Sequence, residues 1–218
     1  MKIEKVSLQV SNFEQTVNFY RDTLQISILA FDHQQAIFQI GESILEINKD
    51  SEDNGYYYHF AFNIHSNLFS EVKEWLTKRV TLLREDNLDE IFFDGKSQGH
   101  ACYFEDPSGN IVEFIARKVT SPKSESKEFT TDNILSISEI SFTTSKVKEA
   151  AAELNNLGIP LQEEKNLNEE SLNFLGEYKD GAFILLGPIG RRWLFSTKKA
   201  IQSPVSIQTD KGTIQNFN

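Results

Sequence analysis

The chain is short of cysteine, histidine and basic residues, and each shortage narrows what it can do. One cysteine, Cys102, cannot form an internal disulfide and fits a reducing, cytoplasmic compartment. Against 32 Asp and Glu there are 22 Lys and Arg, a net charge of −10. Such a chain lacks the basic patches that nucleic acid or an anionic membrane demands of a main partner. No apolar run approaches the ~20 residues of a membrane span, and the opening MKIEKVSLQV has no signal-peptide core. A P-loop, a GxGxxG turn and a Ser-His-Asp arrangement are also missing. Of the four histidines, His33 and His65 lie beside predicted loops, His100 opens a strand, and His59 stands among aromatic residues of a strand. Cys102, in mid-strand, reads as a small buried hydrophobe.

What is present suits a packed protein. At 39% hydrophobic and 11% aromatic, 218 residues can bury a core as one large domain or two small ones. Residues 3–10 alternate, with Val6, Leu8 and Val10 on one face and Lys5, Ser7 and Gln9 on the other. Helical spacing follows over 13–24, then strand-like runs at 26–32, 35–40 and 43–48. After a polar stretch the order repeats. A strand at 57–64 is followed by a helix at 67–79, a strand near 80–84 and two strands around Asp106-Pro107-Ser108-Gly109. In that turn proline fixes φ, glycine accepts positive φ, and the Asp carboxylate can accept local backbone N–H groups. A linker by composition, 120–132, leads to a third pass. It has a strand at 135–142, a helix at 146–157 and a hairpin-like 173–187, with further strands expected at 191–195 and 204–209.

The hairpin YFEDPSGNIVEFIA, residues 103–116, with Glu113 three residues after Asn110, resembles the closing hairpin of the vicinal oxygen chelate superfamily. That superfamily includes glyoxalases, bleomycin- and fosfomycin-resistance proteins and extradiol dioxygenases. Phe19-Tyr20 followed by Leu24 is similar to its first-helix signature, with Gln25 where the family has glycine. The resemblance implies an α+β fold of tandem βαβββ modules forming a curved mixed sheet around a cup. The modules expected to pair are 1–50 and 56–119, with a diverged third module over 133–218. It also implies that Glu113 occupies the last-strand ligand position.

Superposing IEKVSL, YYHFAF and ISEISF by their alternation sets Lys5, His59 and Glu139 at equivalent places, and ILEI against IVEF matches Glu46 with Glu113. In the third module Leu185 stands where Glu113 would be. The expected ligand set is His59, Glu46 and Glu113, one nitrogen and two carboxylates, suited to Zn, Mn, Fe, Co or Ni. Glu113 or Glu46 would serve as the proton shuttle of an isomerase or lyase. Lys5, Gln9 and Asn63 would bind a small oxygen-rich substrate. The two-His-one-carboxylate triad of dioxygenases is not met. Lys5 argues the other way, because an ammonium ~4 Å from a divalent ion opposes binding by a few kcal/mol. A metal-free cup that sequesters a drug or metabolite is the alternative. An odd number of modules leaves one unpaired, and a homodimer is the expected remedy. Arg191 and Arg192 together could hold an anion, although a basic pair after glycine is more often surface.

Overall fold

A computed structural model describes residues 1–96, 98–162 and 166–216. The first pass gives β1 (Ile3–Val10), α1 (Phe13–Asn18), β2 (Ile28–Phe31), β3 (Gln35–Ile40) and β4 (Ser43–Lys49). The helix predicted over 13–24 changes pitch at Phe19–Thr23, which form a π-turn. It ends at Gln25, whose φ of 55° is the left-handed conformation that the resembling family fills with glycine. The second pass gives β5 (His59–Ile64), α2 (Phe69–Thr77), β6 (Ile91–Phe93), β7 (Gly99–Glu105) and β8 (Ile111–Arg117). The strand expected near 80–84 is reduced to an isolated bridge between Leu82 and Phe104. The third gives β9 (Ile134–Thr143), α3 (Val147–Asn156), β10 (Asn173–Leu175) and β11 (Phe183–Gly187). A closing hairpin follows, β12 (Val205–Thr209) and β13 (Gly212–Asn216). Residues 191–195, expected as a strand, are irregular and carry one bridge, Arg192 to Lys199.

Two mixed sheets result, in the orders β13-β12-β1-β4-β3-β2 and β10-β11-β9-β5-β8-β7-β6. The expected sharing of one sheet by 1–50 and 56–119 does not occur. β1 takes β12 as its antiparallel neighbour and β5 takes β9. All four first strands alternate polar and apolar residues alike, so each edge accepts any of the others. The closing hairpin acts as a rudimentary fourth module, and the argument for a homodimer from an unpaired module lapses.

The apolar faces of both sheets and the helices form one core, with Val6, Leu8, Phe38 and Leu45 from one sheet and Phe60, Phe62, Phe114 and Ile140 from the other. The sheets are tied where the β3–β4 turn meets β9. Glu42 donates its N–H to Leu135 O at 2.8 Å. Buried Ser43 donates to Ile3 O at 2.6 Å and accepts from the N–H of Ile137 at 3.0 Å. Gly41 is required at this crossing, because a Cβ there would lie 2.1 Å from Leu135 O. The turn that the sequence marks most strongly is built on buried Asp106. Its Oδ1 accepts the N–H groups of Ser108 and Asn110, each at 2.9 Å. Its Oδ2 accepts Tyr20 Oη at 2.9 Å and Asn110 Nδ2 at 2.8 Å. A second, smaller apolar cluster lies on the other face of the second sheet. There Ala61, Ala101 and Tyr103 are covered by Trp193, Phe195 and Ala200 from the segment after β11.

Candidate metal centre

Strand register places the site. One row across the second sheet reads Tyr103, Glu113, Ala61, Glu139, Phe183, one residue from each of β7, β8, β5, β9 and β11. Ala61 leaves a gap between the two glutamates, and His59, two residues earlier on the same strand, points onto that same face. His59 Nε2 stands 3.4 Å from Glu113 Oε2 and 3.7 Å from Glu139 Oε2. One ligand atom from each of the three buried residues falls within 4.8 Å of the others. His59 Nδ1 is 3.1 Å from Ile111 O. A carbonyl can only accept, so Nδ1 carries a proton. Nε2 faces the carboxylates, donating to them when protonated and offering a lone pair to a metal only once that proton is lost.

The electrostatics are those of a buried cluster. Burial opposes a charged imidazole, yet hydrogen bonding and attraction to Glu113 and Glu139 raise the His59 pKa to about 9. Burial, then repulsion from Glu139, raises Glu113. Glu139 is held low: burial works against its charge, but His59 and the Arg117 guanidinium outweigh it. Arg117 donates to Glu139 Oε1, and its Nη1 donates to Ser138 Oγ at 2.9 Å. Burial and then the charges of Glu113 and Glu139 push the Tyr103 phenol well above its usual range. One atom is left over: Glu113 Oε1 is buried with no hydrogen-bond partner. An unpaired carboxylate oxygen is costly in a low dielectric, and a cation between the two carboxylates and the imidazole would satisfy it. Leu185 stands where a fourth ligand would be, so these three residues are the ones that could hold an ion here. The site opens into a cavity of about 370 Å³ walled by Phe93, Phe174, Phe183 and Trp193.

The other expected residues lie elsewhere. Glu46, expected as ligand and proton shuttle, belongs to the first sheet. There Lys5 Nζ stands 2.6 Å from Glu46 Oε2, and Ser7 Oγ donates to Glu46 Oε1 at 2.7 Å. The equivalent row of that sheet reads Glu46, Ser7, Ser206, with Lys5 in the place of His59. An ammonium and a serine replace an imidazole and a carboxylate, so this face pairs its own charges instead of offering a ligand set. Although burial acts against it, Glu46 is held below the usual carboxylate range by Lys5, Ser7 and Asn48. Gln9 is on the same first-sheet face, and its N–H donates to Tyr58 Oη at 3.1 Å. Asn63 is in the second sheet but supports rather than lines the cup, accepting from Ser121 Oγ at 2.8 Å and Arg117 Nη1 at 3.4 Å. His59 and Glu113 are brought together. Glu139, aligned with His59 by alternation yet left out of the expected ligand set, completes the group.

Two family models match the chain: Glyoxalase/Bleomycin resistance protein/Dioxygenase superfamily over residues 2–114, and Toxoflavin-degrading enzyme over 137–191. Metallothiol transferase FosB of Staphylococcus saprophyticus is 31% identical over 116 residues, covering 51% of this chain and 74% of that protein. The same-named protein of Staphylococcus haemolyticus is 32% identical over 116 residues, covering 51% and 80%. Among solved structures, glyoxalase I from Zea mays superposes with a TM-score of 0.55 at 13% identity, over 85% of this chain and 66% of that one. A Bacillus subtilis structure gives a TM-score of 0.60 at 17% identity, over 85% and 63%. At these identities the structural likeness speaks to the fold alone.

Proposed function

The chain belongs to the Glyoxalase/Bleomycin resistance protein/Dioxygenase superfamily, and from that premise we propose that His59, Glu113 and Glu139 hold one divalent metal ion for isomerase- or lyase-type chemistry on a small oxygen-rich molecule. The observation that carries this reading is the buried, unpartnered Glu113 Oε1 beside two further ligand atoms from two other strands. An imidazole with two carboxylates suits Zn, Mn, Fe(II), Co or Ni. When bound, such an ion supplies Lewis acidity to vicinal substrate oxygens. The chain's own residues do the rest. The Ile111 carbonyl fixes the His59 tautomer. Arg117 keeps Glu139 ionised and oriented. Glu113, whose pKa is raised, takes and returns a proton through the carboxylate oxygen that the ion leaves free, as an acid–base shuttle requires. The aromatic walls exclude water from the reacting groups. The relatives' printed activities, thiol transfer and toxoflavin degradation, agree with modification of a small molecule and support nothing narrower here.

Metal analysis of protein purified without chelators, followed by melting with and without EDTA, tests this. One equivalent of metal is expected, with a melting temperature that falls in EDTA, since a ligand bound only by the folded state stabilises it. Glu113→Gln and Glu139→Gln should lose the metal, and Glu46→Gln should keep it. Protein with no metal and no response to EDTA overturns the reading. It would favour the alternative, a metal-free binding cup, which has its own support: protonated His59 and Arg117 balance the charges of Glu113 and Glu139.

A further inference from the structure

Arg191 lines the same cavity, and the metal-centred reading gives it no task. Its neighbour Arg192 reaches outward and is paired with Glu85. Arg21 and Arg117 likewise have carboxylate partners. Arg191 has none among the described residues. Nη1 donates to Arg192 O at 2.8 Å, while Nε and Nη2 are buried without an acceptor. These two nitrogens form one edge of the guanidinium, the edge whose parallel N–H groups match the two oxygens of a carboxylate or phosphate-type group. The fork is held in place. The guanidinium carbon lies 4.0 Å over the Trp193 ring, and Nε lies 3.6 Å from where a Cβ on Gly187 would be. Burial lowers the Arg191 pKa to about 10, so it stays cationic at neutral pH. In a chain with a ten-charge excess of acids, a cation in the wall of a cavity with two buried N–H-bearing nitrogens unsatisfied lacks a counter-anion.

We propose that Arg191 is the oxyanion receptor of the cup and that the substrate is a small ring-bearing anion, its carboxylate- or phosphate-type group held by Nε and Nη2 and its oxygen-bearing end at His59, Glu113 and Glu139. The inference rests on reading this cup as the substrate site. Trp193 sets the span between the two ends. Its ring is 5.1 Å from that of His59 and 4.0 Å from the guanidinium, so the two are no farther apart than those distances end to end. A substituted ring fits within that limit, and the flanking walls, Phe93, Phe174 and Phe183, are aromatic.

Calorimetric titration of the whole chain, EDTA-dialysed and again metal-loaded, with benzoate, phenylphosphonate and neutral benzyl alcohol tests the proposal. Both oxyanions should bind the EDTA-dialysed protein better than benzyl alcohol does, and the tighter of them identifies the anion type. Arg191→Gln should weaken the oxyanions at least tenfold and leave benzyl alcohol unchanged. Arg191→Lys, which keeps the charge and loses the fork, should fall between. Both variants lose the Nη1 bond to Arg192 O and the stacking on Trp193, so a small drop in melting temperature is expected of each, and unchanged benzyl alcohol binding shows that the cup is intact. Equal oxyanion affinity in wild type and Arg191→Gln, or no preference of the wild type for oxyanions over benzyl alcohol, overturns the proposal. Metal content separates this outcome from failure of the metal reading: Arg191→Gln should retain whatever metal the wild type holds.

Discussion

At the scale of the residue, the site turns on His59. Its pKa is raised from 6.5 to about 9 by Glu113 and Glu139. A raised pKa means that the folded state holds the proton more tightly than the unfolded chain. The stabilisation is therefore fully present below pH 6.5 and is lost as pH climbs through 9, on the order of 3 kcal/mol in all. Glu113, also raised, acts in the same sense from lower pH; Glu139, held low, contributes above pH 4.5 and loses its contribution on acidification. Metal-free protein should thus melt progressively lower between pH 6.5 and 9, and His59→Gln should flatten that slope. An unchanged slope in the variant would show that another group titrates. A metal ion competes with this proton for the same Nε2 lone pair, so metal affinity should rise over the same window.

At the scale of the element, the strands were legible because alternation is a local property. β1, β3, β4 and β9 lie within about a residue of where polar and apolar positions placed them. The turn at Asp106 was legible too, since Asp, Pro and Gly each have a turn-specific role. The structure adds that the Asp106 carboxylate accepts four hydrogen bonds, one of them from Tyr20 of the first module. Asp106→Ala would strand these buried donors and is expected to cost about 2–4 kcal/mol. Tyr20→Phe removes a single bond and should cost about 1 kcal/mol. Urea unfolding of both variants measures the difference, and similar losses would mean that the turn is held by its backbone alone. Short β6 and the closing β13 were missed, and the strand expected at 80–84 shrinks to the bridge at Leu82, because so short a run offers few alternations to read.

At the scale of the whole molecule, the closing hairpin completes the first sheet. Val205, Ile207 and Ile214 are buried there, each worth roughly 1.5–3 kcal/mol, and β12 covers the edge of β1. Truncation ahead of Pro204 should lower the melting temperature by about 10 °C or more. It should also make the size-exclusion profile concentration-dependent, since an exposed strand edge seeks a partner. None of the three proposed ligands lies in the removed piece, so metal content per folded chain should survive. A truncated chain that melts like the intact one would show the hairpin to be dispensable.

The sequence by itself determined the family, the longer strands and the facing of their side chains, because periodicity and turn chemistry act over a few residues. It also singled out His59 and Glu113. Which first strand pairs with which was decided only in three dimensions. Four similar edges offer equivalent backbone hydrogen bonds, and the choice among them rests on packing between residues far apart in the chain. That choice gave His59 the partner Glu139 in place of Glu46, and turned Lys5 from a resident of the cup into the counter-ion of a separate sheet.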